Sequence, residues 1–257
     1  MDLLHSNIIG SGDKHWIILH GFLGMGDNWK THAKNLAEKG YCVHLVDQRN
    51  HGRSFWSDVF DYAAMVEDLR FYLDHHGLDQ VLLLGHSMGG KTAMDFALKY
   101  AERVKKLIVV DIAPKYYAPH HQQILAGLST LNLTEINSRK GAAEHLEHYI
   151  PDGGTRQFLL KNLYWVSEGQ LGLRVNIAVL KNAAEAIGAP IESQNTFSQP
   201  TLFLHGEHSD YINPPTDKAA ILNAFPKAEI IEIKGTGHWL HAEQPKAFFD
   251  TLMHWLT

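Results

Sequence analysis

The chain has 257 residues, 45% of them hydrophobic and 20% charged, with a net charge of −5 and a single cysteine, Cys42. Such a composition is ordinary for a soluble globular protein with a substantial core. It excludes a disulfide framework and, lacking any lysine/arginine cluster, gives no electrostatic case for nucleic acid or an anionic membrane as a partner. The opening MDLLHSNIIGSG has no basic stretch or long apolar stretch of the secretory kind, and no run approaches the ~18 apolar residues of a bilayer span. A cytoplasmic setting is therefore expected, for a monomer or homodimer.

In chain order, LLHSNIIGSGDKHWIILH predicts two short strands making an antiparallel start, the second over HWIILH (15–20). A helix follows over 28–40, with Asp27 or Asn28 as its cap, then a strand over YCVHLV (41–46). The next helix, 61–77, is capped by Asp61 and, like the first, ends in glycine. A strand over QVLLLG (80–85), a helix over 88–102 and a strand over KKLIVV (105–110) continue the alternation. These strands are continuously apolar, as strands covered on both faces by helices should be, which points to an α/β fold with a mostly parallel sheet.

The alternation then breaks. Residues 112–199 carry no convincing strand, only helix-like pieces such as HQQILAGLSTL, KGAAEHLEHYI, RQFLLKNLYWV and LRVNIAVLKNAAEAI, split by PDGG and SEGQ. So long a structureless segment is improbable, and a helical insertion is expected between core segments 1–111 and 200–257 of one domain. Strands over TLFLHG (201–206) and AEIIEI (228–233) and a last amphipathic helix, QPKAFFDTLMHWL, complete the core.

Gly85-His86-Ser87-Met88-Gly89 lies where a strand must become a helix within about one residue. The glycines leave room for so sharp a bend, which thrusts Ser87 out at the carboxyl edge of the sheet, in front of a helix N-terminus suited to an anion. A serine hydroxyl needs a base, and the base an orienting acid. GTGHWLHAEQP (235–245) places His238 on a glycine-flanked loop between the last strand and the last helix, with His241 a weaker competitor. HGFLGMGDNW (20–29) follows the first long strand and suits a loop whose Phe22 N–H joins that of Met88 to hold an oxyanion.

These features, together with DQRNHGRS (47–54), GHSMGGK (85–91), VVDIAP (109–114) and GEHSDYI (206–212), resemble the α/β-hydrolase superfamily over essentially the whole chain, and within it the YbfF-like group of small esterases. The resemblance implies an eight-stranded sheet, a helical lid between strands six and seven, and cofactor-free hydrolysis of acyl esters or thioesters. For the acid, many relatives use G-x-x-D after strand seven. Counting from Gly206, that position is Ser209, and Asp210 comes one residue late; strand six, however, ends in Asp111. Either carboxylate preserves the order serine, acid, histidine. The resemblance points to Asp111, and a one-residue shift re-aims a side chain. Asp47 is expected to organise the Arg49–Arg53 loop instead.

Of the apolar residues Tyr116, Tyr117, Leu159, Leu160, Tyr164 and Trp165, any that face the site, with Phe22 and Trp239, suit an acyl chain. Lys115, Arg139, Lys161 and Arg174 are candidate partners for an anionic carrier such as coenzyme A. The eighteen histidines are scattered, with no HExxH and no zinc-type Cys/His spacing, so no metal is expected, and Cys42 reads as a small buried hydrophobe. The same constellation serves carbon–carbon bond hydrolases and perhydrolases, and a ligand-binding receptor of low turnover is the alternative from outside catalysis.

Overall fold

Each of the six apolar runs becomes a strand, within one residue at either end. The computed structural model describes residues 2–257. It opens with β1 (Ser6–Ile9), β2 (Lys14–Leu19), α1 (Lys30–Ala37), β3 (Tyr41–Val46), α2 (Tyr62–His75), β4 (Val81–His86), α3 (Met88–Lys99) and β5 (Val104–Val110). The long segment after β5 carries α4 (Gln122–Ser129), α5 (Arg139–Glu147), α6 (Gly153–Leu160), β6 (Leu163–Ser167), β7 (Gln170–Leu173), α7 (Ile177–Leu180) and α8 (Ala184–Gly188). Then come β8 (Thr201–Gly206), α9 (Pro214–Ala224), β9 (Ala228–Ile233), α10 (Leu240–Glu243) and α11 (Pro245–Leu256).

The main sheet has the order β1-β3-β2-β4-β5-β8-β9, parallel throughout except for β1, which runs antiparallel to β3. It therefore has seven strands among the described residues rather than the eight that the resemblance implied. The six apolar runs and β1 use every strand-forming stretch outside the segment 112–199. The two N-terminal strands are both present but do not pair with each other, because β3 lies between them. Alternate residues of the central strands feed two apolar layers: Leu83, Leu107 and Val109 pack with the Val66, Leu69, Ala93 and Phe96 face, and Leu82, Leu84 and Ile108 with Trp29, Leu36, Phe248 and Leu252. Burial on both faces is why these strands read as unbroken hydrophobic runs.

Two local expectations are corrected. Helix α1 is preceded by a tight turn over Gly26–Trp29, in which the Asn28 side chain accepts from the Met25 N–H (2.8 Å), so neither Asp27 nor Asn28 caps the helix. Asp61 does cap α2, accepting from the Ala64 N–H at 2.8 Å. Within 112–199 the stretch read as helical through YWV instead turns into a hairpin of β6 and β7. The helix ends at Leu160 although the helical spacing runs on to Leu163, and the aromatic and β-branched residues Tyr164, Trp165 and Val166 favour a strand. Gly169, at φ 73°, makes the tight return.

Strand order reverses between β2 and β4, the position where open α/β sheets bind ligands beyond the carboxyl ends of their strands. Segment 112–199 packs there. Its Leu125, Leu146, Leu159, Leu163 and Leu180 form one apolar cluster with Phe22, Leu23 and Met88 of the sheet-edge loops. Lys91 of α3 ties down both ends of the segment. It is fully buried, and its ammonium donates to the carbonyls of Lys115 (2.8 Å), Gly188 (3.1 Å) and Ala189, with the Tyr117 ring 4.8 Å away. Burial lowers this lysine to about 8. Lys91→Met leaves the Lys115 and Ala189 carbonyls without that donor. It is expected to destabilise the fold by about 1–3 kcal/mol, read as a lower urea midpoint at pH 7.

Candidate active site

Ser87 occupies φ 53°, ψ −120°, a conformation that side-chain-bearing residues avoid. The bend is held by the Ser87 N–H donating to the Val110 carbonyl (2.9 Å) and by the first turn of α3 closing onto the Ser87 carbonyl (3.1 Å from the Lys91 nitrogen). Its glycines are obligatory: a Cβ at Gly85 would stand 2.1 Å from the Gly89 oxygen, and one at Gly89 2.4 Å from the Leu19 oxygen. Strand, bend and helix can pack this closely only without side chains at those two positions.

Asp111 follows the neighbouring strand β5 and also has positive φ, 53°. Fully buried, its carboxylate accepts from the Gly206 N–H (3.2 Å), the Ser209 hydroxyl and the His238 Nδ1–H, the last at 2.7 Å. Asp210 is exposed and points to none of these partners. Thus the G-x-x-D count that lands on Ser209 finds not an acid but a hydroxyl that donates to the acid of the adjacent strand.

His238, in the loop after β9, is gripped from several sides. Tyr211 stacks on its ring (3.8 Å, 16°), and the ring of His86 lies 4.7 Å away while its Nε2–H donates to the His238 carbonyl at 2.9 Å. Burial pushes His86 down to about 3, so it stays a neutral donor. Burial likewise holds His238 well below the ordinary histidine range. Asp111 is raised to about 6 by burial, against the opposing hydrogen bonds of Ser209 and Gly206, and remains a carboxylate at neutral pH. A neutral imidazole giving its Nδ1 proton to a carboxylate has its Nε2 lone pair free to accept another.

The loop after β2 is equally constrained. His20 donates from Nδ1 to the Gly21 carbonyl (2.8 Å) and accepts from the Gln48 N–H (3.0 Å). His51 accepts from the Leu23 N–H (3.1 Å), and Asn162 donates to the Leu23 carbonyl (2.8 Å). Among the described residues, neither the Phe22 nor the Met88 N–H is taken by an acceptor of the chain. Asp47 does organise the loop expected of it, accepting from the N–H groups of Arg53 (2.9 Å) and Gly26 (2.7 Å).

Ser87, His238, Phe22 and Trp239 line one cavity of about 470 Å³, together with Ile124, Phe158 and Leu159. Of the other aromatic candidates, Tyr116 and Trp165 are exposed and Tyr164 sits under the Arg174 guanidinium (4.3 Å), whereas Tyr117 borders a narrow crevice that Ser87, Phe22 and Met88 also line. Leu160 is buried in the apolar cluster of segment 112–199. Three of the four candidate cations are also committed elsewhere. Lys115 pairs with Asp217 (2.6 Å), Arg139 donates to the carbonyls of Leu160 (2.7 Å) and Leu163 (2.6 Å), and Arg174 covers Tyr164. Only Lys161 lines the cavity. His241 is stacked on Trp29 (4.1 Å, 8°) and buried, away from Asp111.

A family profile described as the alpha/beta hydrolase fold matches residues 14–138. The chain is 36% identical to the sn-1-specific diacylglycerol lipase ABHD11 of Mus musculus, over 93% of this chain and 80% of that one. It is 33% identical to Esterase YbfF of Escherichia coli, over 93% and 92% of the two chains. The chain belongs to the α/β-hydrolase family. A solved structure, a marine microorganism esterase, superposes with a TM-score of 0.95 at 39% identity, covering 99% of this chain and 100% of that one.

Several residues of this hydrolase's site carry no local sequence signal. Tyr211, Ser209 and His86 act on Asp111 and His238 from remote or unremarkable positions. His120, whose Nε2 meets the Tyr211 hydroxyl at 2.5 Å, comes from segment 112–199. His86 stands inside GHSMGGK as the variable residue before the serine, and Ser209 and Tyr211 inside GEHSDYI, but neither motif discloses these contacts.

Proposed function

We propose that this protein hydrolyses carboxylic esters by acyl transfer through Ser87, with His238 as base and Asp111 as its orienting acid. The coarse activity is that of a carboxylic ester hydrolase, in keeping with relatives named as esterases and lipases. The observation that carries the finer reading is the 2.7 Å contact of His238 Nδ1 with Asp111 at the wall of the cavity that Ser87 also lines. In this reading Ser87 Oγ attacks the acyl carbon as His238 Nε2 takes its proton, and the N–H groups of Phe22 and Met88 hold the oxyanion. His238 then protonates the leaving alcohol, and water repeats the sequence on the acyl-enzyme. No cofactor enters any step. Mixing enzyme with excess p-nitrophenyl acetate tests it: a burst of about one nitrophenol per chain, with acetyl mass on the peptide bearing Ser87, is the expected result. Hydrolysis without an acyl-enzyme on Ser87 would falsify the reading.

We assign segment 112–199 the role of a lid setting acyl selectivity through Phe158 and Leu159. A cavity of this volume lies within the ~300–1,000 Å³ of small-molecule sites and suits a short- to medium-chain acyl group. With Lys161 its one lysine or arginine, the cavity offers little for the phosphates of a coenzyme A carrier. Neutral esters are therefore expected to match or exceed acyl-CoA thioesters of equal chain length in kcat/KM. A thioester advantage of tenfold or more, lost in Lys161→Ala, overturns that preference. No helix among the described residues is long and apolar enough to cross a membrane, which fits a cytoplasmic enzyme acting on dispersed substrates.

A further inference from the structure

The chain's single cysteine sits in an arrangement that the spacing of histidines along the sequence does not disclose. Strands β2 and β3 run parallel with His15 opposite Cys42. Cys42 and His44, two residues apart on β3, project from the same face. Three ligating side chains from two strands thereby converge at the amino ends of the strands, the opposite sheet edge from Ser87.

The separations match a metal site. His15 Nδ1 lies 3.0 Å from His44 Nε2, Cys42 Sγ lies 3.8 Å from the same nitrogen, and all three atoms fall within 4.8 Å of one another. Tetrahedral zinc, with Zn–N near ~2.05 Å and Zn–S near ~2.3 Å, places two nitrogens about 3.3 Å apart and nitrogen and sulfur about 3.6 Å apart. The tautomer of His44 is also set. The Tyr72 hydroxyl lies 2.8 Å from His44 Nδ1 and donates its own proton to Ser6 Oγ (2.6 Å), so Nδ1 carries hydrogen toward Tyr72. The Nε2 lone pair then faces His15 and Cys42. Zinc-bound histidines are oriented by such a partner on the other ring nitrogen. His15 is half-buried, which leaves an entry path.

We propose that His15, Cys42 and His44 bind Zn²⁺, with water in the fourth position, as a structural clamp between the starts of β2 and β3. Binding replaces the thiol proton: the Cys42 sulfur keeps the S–H electron pair, donates a pair to zinc, and releases H⁺ to solvent.

Cobalt provides the test, because a thiolate–Co²⁺ charge-transfer band can come from no other residue of a one-cysteine chain. Chelator-treated full-length protein titrated with Co²⁺ is expected to show the band saturating at one equivalent, and Zn²⁺ to displace it. Cys42→Ser abolishes the band; His15→Ala, at a half-buried position, weakens binding by about tenfold or more. One equivalent of Zn²⁺ raises the melting temperature of the parent but not of His15→Ala. Failure of the band to form at saturating Co²⁺, its survival in Cys42→Ser, or equal affinity in His15→Ala overturns the site.

Discussion

Ser87→Ala is expected to abolish esterase turnover, by about 10⁴–10⁶ in kcat, while leaving the fold as stable as the parent. Removing a serine nucleophile from such a unit costs nearly as much as removing the whole unit, because base and acid are useless without the group they activate. Stability is spared because no hydrogen bond of the Ser87 hydroxyl supports the fold among the described residues, and alanine keeps the Cβ that makes φ 53° costly. The strained backbone yields a companion result. Ser87→Gly removes that Cβ and is expected to gain about 1 kcal/mol of stability while being equally inactive. Urea melts of the three proteins beside burst kinetics with p-nitrophenyl acetate read both effects. An alanine variant that keeps a tenth of parental kcat places the nucleophile elsewhere.

What could be read in the chain itself was whatever has a short period or a short span. Six strands were legible because burial on both faces leaves unbroken apolar runs. The bend at Ser87 was legible because Gly85 and Gly89 are demanded by contacts of 2.1 and 2.4 Å. His238 stood out through its flanking glycines. The features that escaped depend on approach between distant segments. Ser209 matters only because β8 lies beside β5, which puts its hydroxyl on Asp111. Tyr211 matters because the Tyr117 hydroxyl, donating to its carbonyl at 2.5 Å, helps hold it flat against His238. The β6–β7 hairpin was hidden for a different reason, since apolar residues at helical spacing run up to its first residue. The His15, Cys42 and His44 cluster escaped because a search for metal-ligand spacing compares neighbours in sequence, and cross-strand register supplies His15 from 27 residues away.

Asp111→Asn is expected to lower kcat by about 10⁴, with Asp210→Asn within twofold of the parent. Asp111 Oδ2 receives both the His238 Nδ1–H and the Ser209 hydroxyl, while Oδ1 receives the Gly206 N–H. An asparagine that keeps its oxygen toward Gly206 presents its NH₂ to His238. Nδ1 must then accept, the proton moves to Nε2, and the imidazole can no longer take the proton of Ser87. Stability should move the other way. In the folded chain burial raises Asp111 to about 6, from an ordinary 3.8, so the native state binds more protons than the unfolded state between those values. Stability from this group is present below pH 3.8 and is lost as pH rises toward about 6. At pH 7 the buried charge is a cost that asparagine does not carry. The variant is therefore expected to melt at the parental temperature or above it, and to lose the parent's decline in stability across that window. Activity in the parent runs opposite to stability, rising with pH as the Asp111 carboxylate is restored, since His238, held low by burial, is already neutral across that window. A kcat that falls in Asp210→Asn and survives in Asp111→Asn reverses the assignment, and a simultaneous collapse of melting temperature in Asp111→Asn reduces the residue to a structural one.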